Sequence, residues 1–257
     1  MSKPLSGKIA VVTGASRGIG RSIAEALAAD GALVGVHYGK SKAGADEVVA
    51  KIKSAGGDAF VVGADLSKKD AAQVLFAGVD KELKQRTGDV KFDILVNNAG
   101  IAPFVSFADT TEDVLDEIYT VNVRSLFFIT QEAIKRLNDD GRIISTSSGV
   151  VRTPLPAVAA YSMLKAPLDN LAKSLAVELG PRGITVNTVA PGVINTDMAA
   201  DFVNNPEGQA FAIGKQALKR IGQPDDVADV VAFLAGPKSR WITGQTVDVT
   251  GGSVIAF

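Results

Sequence analysis

The order of apolar and polar positions divides the chain into short β-branched runs and longer amphipathic segments. Residues 8–13, 33–37, 59–64, 94–97, 142–146, 185–189 and 246–249 are the candidate strands, most of them apolar on both faces. That is the pattern of strands covered on both faces of a parallel sheet. Residues 18–29, 43–54, 69–85, 111–137, 160–179 and 225–235 carry apolar side chains at helical spacing. Strand alternating with helix predicts an α/β fold of right-handed βαβ units, a doubly wound parallel sheet with helices on both faces. Two stretches stand apart. Residues 84–91 read as a polar loop, and 195–222 as an excursion with one or two short helices, placed where such sheets carry a substrate lid. No composition break or repeat marks a second domain, so residues 1–257 are read as one domain.

Composition narrows the chemistry. The chain is 46% apolar and 21% charged, a globular mixture that excludes a disordered one. Its longest apolar stretches run about half a dozen residues, against roughly 20 for a membrane helix. Met1-Ser2-Lys3-Pro4 leads at once into a strand pattern, so no secretory leader is expected and a cytoplasmic setting is. The formal net charge is −1 with scattered cations, which gives no footprint for nucleic acid. No cysteine is present, removing thiol nucleophiles, zinc–thiolate sites and a disulfide scaffold. His37 is the only histidine, so a two-histidine metal site is impossible. Acid–base chemistry falls to Tyr, Lys, Asp, Glu or a bound water.

Thr13-Gly14-Ala15-Ser16-Arg17-Gly18-Ile19-Gly20 follows the first strand and opens the first helix. Its glycines permit a tight turn and let backbone amides approach a pyrophosphate at a helix N-terminus. The spacing is G-xxx-G-x-G rather than the commoner G-x-G-x-x-G. About 20 residues on, NAD enzymes place an acid for the ribose hydroxyls. Here the stretch is Val36-His37-Tyr38-Gly39-Lys40-Ser41-Lys42, and the first acid is Asp46. Together with Arg17, these cations and hydroxyls favour the 2′-phosphate of NADP over NAD.

Tyr161 and Lys165 are four apart at the start of a predicted helix and share one face. A neighbouring ammonium is expected to lower the phenol's pKa, so that it exchanges a proton with a carbonyl or alcohol oxygen. Tyr38 and Lys42 repeat the spacing, but in a strand-to-helix loop. Only the first pair has a serine, Ser148, thirteen residues upstream and just past the fifth strand. Ser147 is the alternative hydroxyl.

The glycine turn, Asn97-Asn98-Ala99-Gly100, Asn122, Ser148 and Tyr161/Lys165 stand in the order seen in short-chain dehydrogenases/reductases, and from residue 8 to about 253 the chain resembles that family. Its nearest likeness is to the NADP-preferring, 3-oxoacyl-[acyl-carrier-protein] reductase-like branch. The resemblance implies a Rossmann-type sheet of about seven parallel strands. It implies NADPH-dependent, reversible reduction of a ketone or 3-oxo group to a secondary alcohol by Ser148, Tyr161 and Lys165, with Asn122 positioning a relay water. Cofactor contacts are implied at Gly14, Ser16, Arg17, Gly18, Ile19, Gly20, His37, Tyr38, Lys40, Ser41, Asp65 and Leu66. Others are implied at Asn98, Ala99, Gly100, Tyr161, Lys165, Pro191, Gly192, Ile194 and Thr196. His37 reads as structural or adenine-facing, and Asp65 alternatively as a turn residue. Trp241 reads as packing.

Two departures from the family pattern stand out. Pro167 falls two residues after Lys165, where it removes the amide that would bond to Met163 and kinks the helix. Thr250 replaces the acid common before Gly251-Gly252. An enoyl reductase is disfavoured, because those relatives space tyrosine and lysine more widely. A sugar-nucleotide epimerase has different glycine spacing, and a non-catalytic cofactor sensor usually lacks the tyrosine or lysine. The substrate pocket is expected at Ser148, Val150, Tyr161, Gly192, Met198 and Phe202, with Ile101, Phe104, Val151, Leu155 and Phe211 as further apolar candidates. The helices at 111–137 and 160–179 are apolar beyond one stripe, and with the family geometry they predict a homotetramer, its second interface formed by the last strand and the Phe257 tail.

Overall fold

The structure, a computed structural model, describes residues 3–153 and 155–253; the Phe257 tail lies outside them. In chain order the main elements are β1 (Ile9–Val12), α1 (Gly18–Ala29), β2 (Leu33–Tyr38), α2 (Lys42–Ser54), β3 (Asp58–Gly63), α3 (Ala71–Thr87) and β4 (Phe92–Asn97). Then follow α4 (Glu112–Tyr119), α5 (Ser125–Ile134), β5 (Leu137–Thr146), α6 (Ala159–Leu179), β6 (Thr185–Pro191), α7 (Ala200–Val203), α8 (Pro206–Lys215), α9 (Pro224–Ala235) and β7 (Thr246–Val249). The strands form one sheet in the order β3-β2-β1-β4-β5-β6-β7, every pair parallel. This is the seven-stranded, doubly wound arrangement that the sequence predicts.

Alternation along the strands feeds two cores. Ala10 and Val12 of β1 join Ile23 and Leu27 of α1, Val48 of α2 and Val231 of α9 on one face. Val11 points the other way, among Leu75 and Phe76 of α3, Ile129 of α5 and Ala172 of α6. The order of connection reverses between β1 and β4, so the loops after these two strands part there and leave a crevice at the strands' carboxyl ends.

The predicted helix at 111–137 is two helices joined by a π-helical turn, Thr120–Arg124. It ends at Ile134, because Leu137 already pairs with Phe92 as the first residue of β5. Asn138, Asp139 and Gly141 are turn formers, and Asp140 sits at φ 59°, so the register shifts before Arg142 pairs with Ile94. The first half of the polar stretch at 84–91 is helix: α3 runs to Thr87 and stops at Gly88, whose φ of 80° closes it in the left-handed conformation. Pro167 does not break α6, which is continuous over 21 residues.

Candidate active site

The crevice is bordered by the turn after β1. Gly14 and Gly18 have φ of 64° and 54°. A Cβ on Gly14 would stand 2.8 Å from Ala99 Cα, and one on Gly20 would stand 2.3 Å from Gly14 O. Glycine is what allows the turn to pack this closely against the segment after β4. Arg17 begins α1 without a side-chain cap, so the first amides of that helix face outward unpaired by any side chain. Such a helix N-terminus, ringed by glycines, fits a pyrophosphate. A Cβ on Gly18 would stand 3.3 Å from Thr196 Cγ2, which places Thr196 over the turn.

Three side chains fix the turn from below. Thr13 Oγ1 accepts from the amides of Asn98 (3.0 Å) and Ala99 (3.1 Å), and Asn98 Nδ2 donates to the carbonyls of Thr13 and Gly14. His37 is 1% exposed. Its Nδ1 accepts from Gly14 N–H at 3.0 Å, so its Nε2–H donates to Ala64 O at 2.9 Å. Burial pushes its pKa down to about 4, and the bond to Ala64 opposes this weakly. His37 is therefore a neutral strut beneath the turn, with both ring nitrogens bonded within the protein.

Tyr38, Lys40, Ser41, Asp65 and Leu66, also expected at the cofactor, gather at the carboxyl ends of β2 and β3. Lys40 and Asp65 are neighbours: Asp65 is held below its usual range first by the Ser67 hydroxyl and amide, with Lys68 and Lys40 adding to this. Asp65 Oδ1 accepts from Ser67 N–H and Oγ–H, which forms an Asx turn. Ser41 caps α2 by accepting from Gly44 N–H (3.2 Å), and Ser16 O lies 2.9 Å from where a Gly44 Cβ would be. Tyr38 folds its ring over Gly63, and Leu66 is buried in the core, leaving its backbone for any ligand. Arg17 is exposed and reaches Asp197 at 3.7 Å.

The catalytic candidates converge on the other side of the crevice. Ser148 begins a 3₁₀ turn, Gly149–Val151, immediately after β5, and Ser162 Oγ donates to Val150 O (2.7 Å), tying that turn to the first turn of α6. Lys165 is 3% exposed and its Nζ donates to Thr146 O at 2.7 Å. That Nζ lies 5.7 Å from the centre of the Tyr161 ring. Burial pushes the lysine down to about 8, and Asp169 pulls the other way. The expected lowering of the phenol is absent. Desolvation pushes Tyr161 up to about 12, and the Ser148 hydroxyl offsets only part of this. Asn122, in the π turn and fully buried, accepts from Ile101 N–H (2.9 Å) and donates to Ile101 O (2.8 Å). A Cβ on Gly100 would meet Asn122 Oδ1 at 3.1 Å and Lys165 Nζ at 3.4 Å, so these two flank one face of that glycine. Ser147 is 1% exposed, whereas the Ser148 hydroxyl is the one hydrogen-bonded to Tyr161.

The excursion at 195–222 is pinched shut at its base. Asn195 N–H donates to Gly222 O and Gly222 N–H to Val193 O. Ile194 is buried with its side chain against Gly222. Phe202 of α7 stacks on Phe104 at 6.1 Å and meets Phe211 of α8 edge-on at 6.3 Å. Phe104, Phe211 and Met198 are exposed. Thr250 packs on Gly149 and Gly192, joining the Ser148 turn to the turn after β6. The sequence reading passed over Thr13 as a site residue, although its place directly before Gly14 was the available signal.

A family profile described as Enoyl-(Acyl carrier protein) reductase matches residues 14–253. Versicolorin reductase stcU of Emericella nidulans is 41% identical over 261 residues, covering 97% of this chain and 96% of that protein. The crystal structure of the angucycline C-6 ketoreductase LanV with bound NADP superposes with a TM-score of 0.96 at 42% identity, covering 100% of this chain and 99% of that one. LugOII, a promiscuous reductase that catalyses keto-reduction at C1 during lugdunomycin biosynthesis, gives 0.94 at 45%, covering 98% and 100%. Sequence and fold agree with the order of glycine turn, serine, tyrosine and lysine in the crevice, and this chain belongs to the short-chain dehydrogenase/reductase family of oxidoreductases.

Proposed function

We propose that this protein reduces a ketone on a flat, fused-ring aromatic framework to a secondary alcohol, with NADPH as cofactor. The observation that carries the reading is the placement of Tyr161 and Lys165 on one buried helix face, beside Ser148 and across the crevice from the glycine turn. The residues fit a nicotinamide dinucleotide: the α1 N-terminus and Gly14–Gly20 would hold the pyrophosphate, and Arg17, Lys40 and Ser41 the 2′-phosphate. Pro191, Gly192, Ile194 and Thr196 would hold the nicotinamide half. When bound, that group supplies hydride to the carbonyl carbon.

The chain's own part is proton delivery. The Ser148 hydroxyl orients the carbonyl oxygen, and Tyr161 donates its proton to that oxygen as negative charge develops there. A phenol pushed up to about 12 stays protonated at neutral pH, which suits a donor. Its proton leaves only because an alkoxide is the stronger base. Lys165 then stabilises the phenolate and re-protonates it, and a pKa brought down to about 8 makes the ammonium able to give up that proton. Refilling of Lys165 by water past Asn122 belongs to the same proposal.

Phe104, Phe202 and Phe211 support the fused-ring framework, since aromatic faces are matched best by another flat π-system. The names of versicolorin reductase and of the angucycline ketoreductase point the same way. A homotetramer in the cytoplasm goes with this reading. Phe127 and Phe128 are exposed on α5, beside a groove lined by Leu126, Pro167, Leu168 and Leu171, and Trp241 stands 97% exposed next to β7. Among the described residues no helix is long and apolar enough to cross a membrane. Light scattering at micromolar concentration tests the assembly, and a mass of one 26.6 kDa chain rejects it.

The functional test is NADPH absorbance decay with fused-ring aromatic ketones, small aliphatic ketones and α,β-unsaturated thioesters. Preferred turnover of the fused-ring ketones, with the secondary alcohol as product, is expected. Turnover of the unsaturated thioesters alone would replace this reading with enoyl reduction.

A further inference from the structure

Arg152 stands outside the catalytic group yet joins its parts. It follows the 3₁₀ turn that Ser148 begins, and its own N–H closes that turn on Gly149 O at 3.0 Å. Its guanidinium lies between two carboxylates. Nη1 donates to Asp169 Oδ2 at 3.2 Å, while Nε donates to Asp248 Oδ1 at 3.1 Å and Nη2 to the same oxygen. Asp169 is one helical turn beyond Lys165 on α6, and Asp248 is on β7. The other oxygen of Asp169 accepts from Thr188 Oγ1 of β6 at 2.9 Å, and Thr188 Oγ1 lies 2.8 Å from Thr246 Oγ1 of β7. One guanidinium thus ties the serine turn, the tyrosine–lysine helix and the last strand together.

The tie falls where the helix has lost a bond of its own. Pro167 has no amide to donate to Met163 O. Asp169 is two residues further on, so the clamp anchors α6 just past that gap, and Ser162 anchors it just before. These two braces flank the missing bond in a helix that stays continuous.

We propose that Arg152 is a positioning residue for the reaction: held by Asp169 and Asp248, it fixes the Ser148 turn against α6 and offsets the charge that Asp169 presents to Lys165. The proposal rests on the functional reading above. Among the described residues, the titratable groups around Lys165 are Tyr161 and Asp169, both on its own helix. What faces it from the other elements is uncharged: Thr146 O at the end of β5, Gly100 after β4 and Asn122 in the π turn. Behind Asp169 stand Thr188 from β6, Arg152 from the serine turn and, on Arg152, Asp248 from β7.

The test compares Arg152→Gln, Arg152→Lys and Asp169→Asn in the full-length enzyme. Arg152→Gln is expected to lower kcat by about tenfold to a hundredfold, the scale of a displaced catalytic geometry, while KM for NADPH stays unchanged. It also leaves Asp169 less neutralised, so the alkaline midpoint of the pH profile rises by about half a unit or more. Asp169→Asn removes the carboxylate and moves that midpoint down. Arg152→Lys restores the midpoint but only part of kcat, because an ammonium is a point charge and cannot fork across two carboxylates. A merely structural role would not shift the midpoint in opposite directions. ¹³C NMR titration of lysine-labelled protein reads Lys165 without turnover, so the charge argument is tested even if no ketone is reduced. Absence of ketone reduction by the unaltered enzyme would overturn the functional reading. An active enzyme in which Arg152→Gln keeps normal kcat and midpoint, or in which the Gln and Asn variants shift Lys165 the same way, would overturn the role of Arg152.

Discussion

His37 makes this protein sensitive to acid in a way the structure quantifies. In the unfolded chain its pKa is 6.5, and in the folded protein it is about 4. Between those values the unfolded state binds a proton that the folded state refuses, so stability rises with pH across the window and falls on acidification. At 1.36 kcal/mol per pH unit the shift costs about 3 kcal/mol once pH reaches 4, and about 2 kcal/mol at pH 5. The first cause is burial, which penalises the charged ring; a protonated ring also has two donors, and its Nδ1 could not accept from Gly14 N–H. His37→Gln removes the titration. Urea unfolding of both proteins at pH 7, 6, 5 and 4, at one fixed chain concentration, isolates the effect from carboxylates such as Asp226, which titrate in both. The gap between wild type and variant is expected to narrow by about 2 kcal/mol from pH 7 to pH 5. Parallel curves would refute the neutral strut and, with it, the account of how the glycine turn is held.

Cofactor choice is open to a simpler test: Arg17→Ala and Lys40→Ala are each expected to weaken NADPH more than NADH, measured as Kd by fluorescence titration, and equal losses for both cofactors would remove the 2′-phosphate assignment. The pH profile carries its own prediction. Lys165 is protonated below about 8 and loses its proton above that, so ketone reduction is expected to decline as pH rises through that value, and a rate that climbs instead would contradict the relay.

The fold was legible because both faces of the sheet are covered, so each strand is an apolar run and each intervening helix keeps one apolar stripe. Boundaries were less so. Nothing in the apolar pattern of 111–137 marks a π turn, since the widening at Asn122 accompanies a long-range bond to Ile101. Gly88 did carry the signal that ends α3, but the polar run at 84–91 masked it, and the helical reading of 111–137 absorbed Leu137, the first residue of β5. Ser148, Tyr161 and Lys165 could be found because their order and spacing are local properties. The role of His37 and the raised pKa of Tyr161 could not, because both depend on burial and on neighbours distant in sequence, Gly14 and Ala64 for one and the packed crevice for the other.

The central claim is that Tyr161 delivers the proton to a ketone oxygen. Tyr161→Phe keeps the ring that lies against Lys165 and removes the transferable proton. Single-turnover oxidation of bound NADPH by a reducible ketone is expected to slow by about two orders of magnitude or more, with the Kd for NADPH unchanged. Hydride transfer at a near-normal rate in that variant would contradict the account.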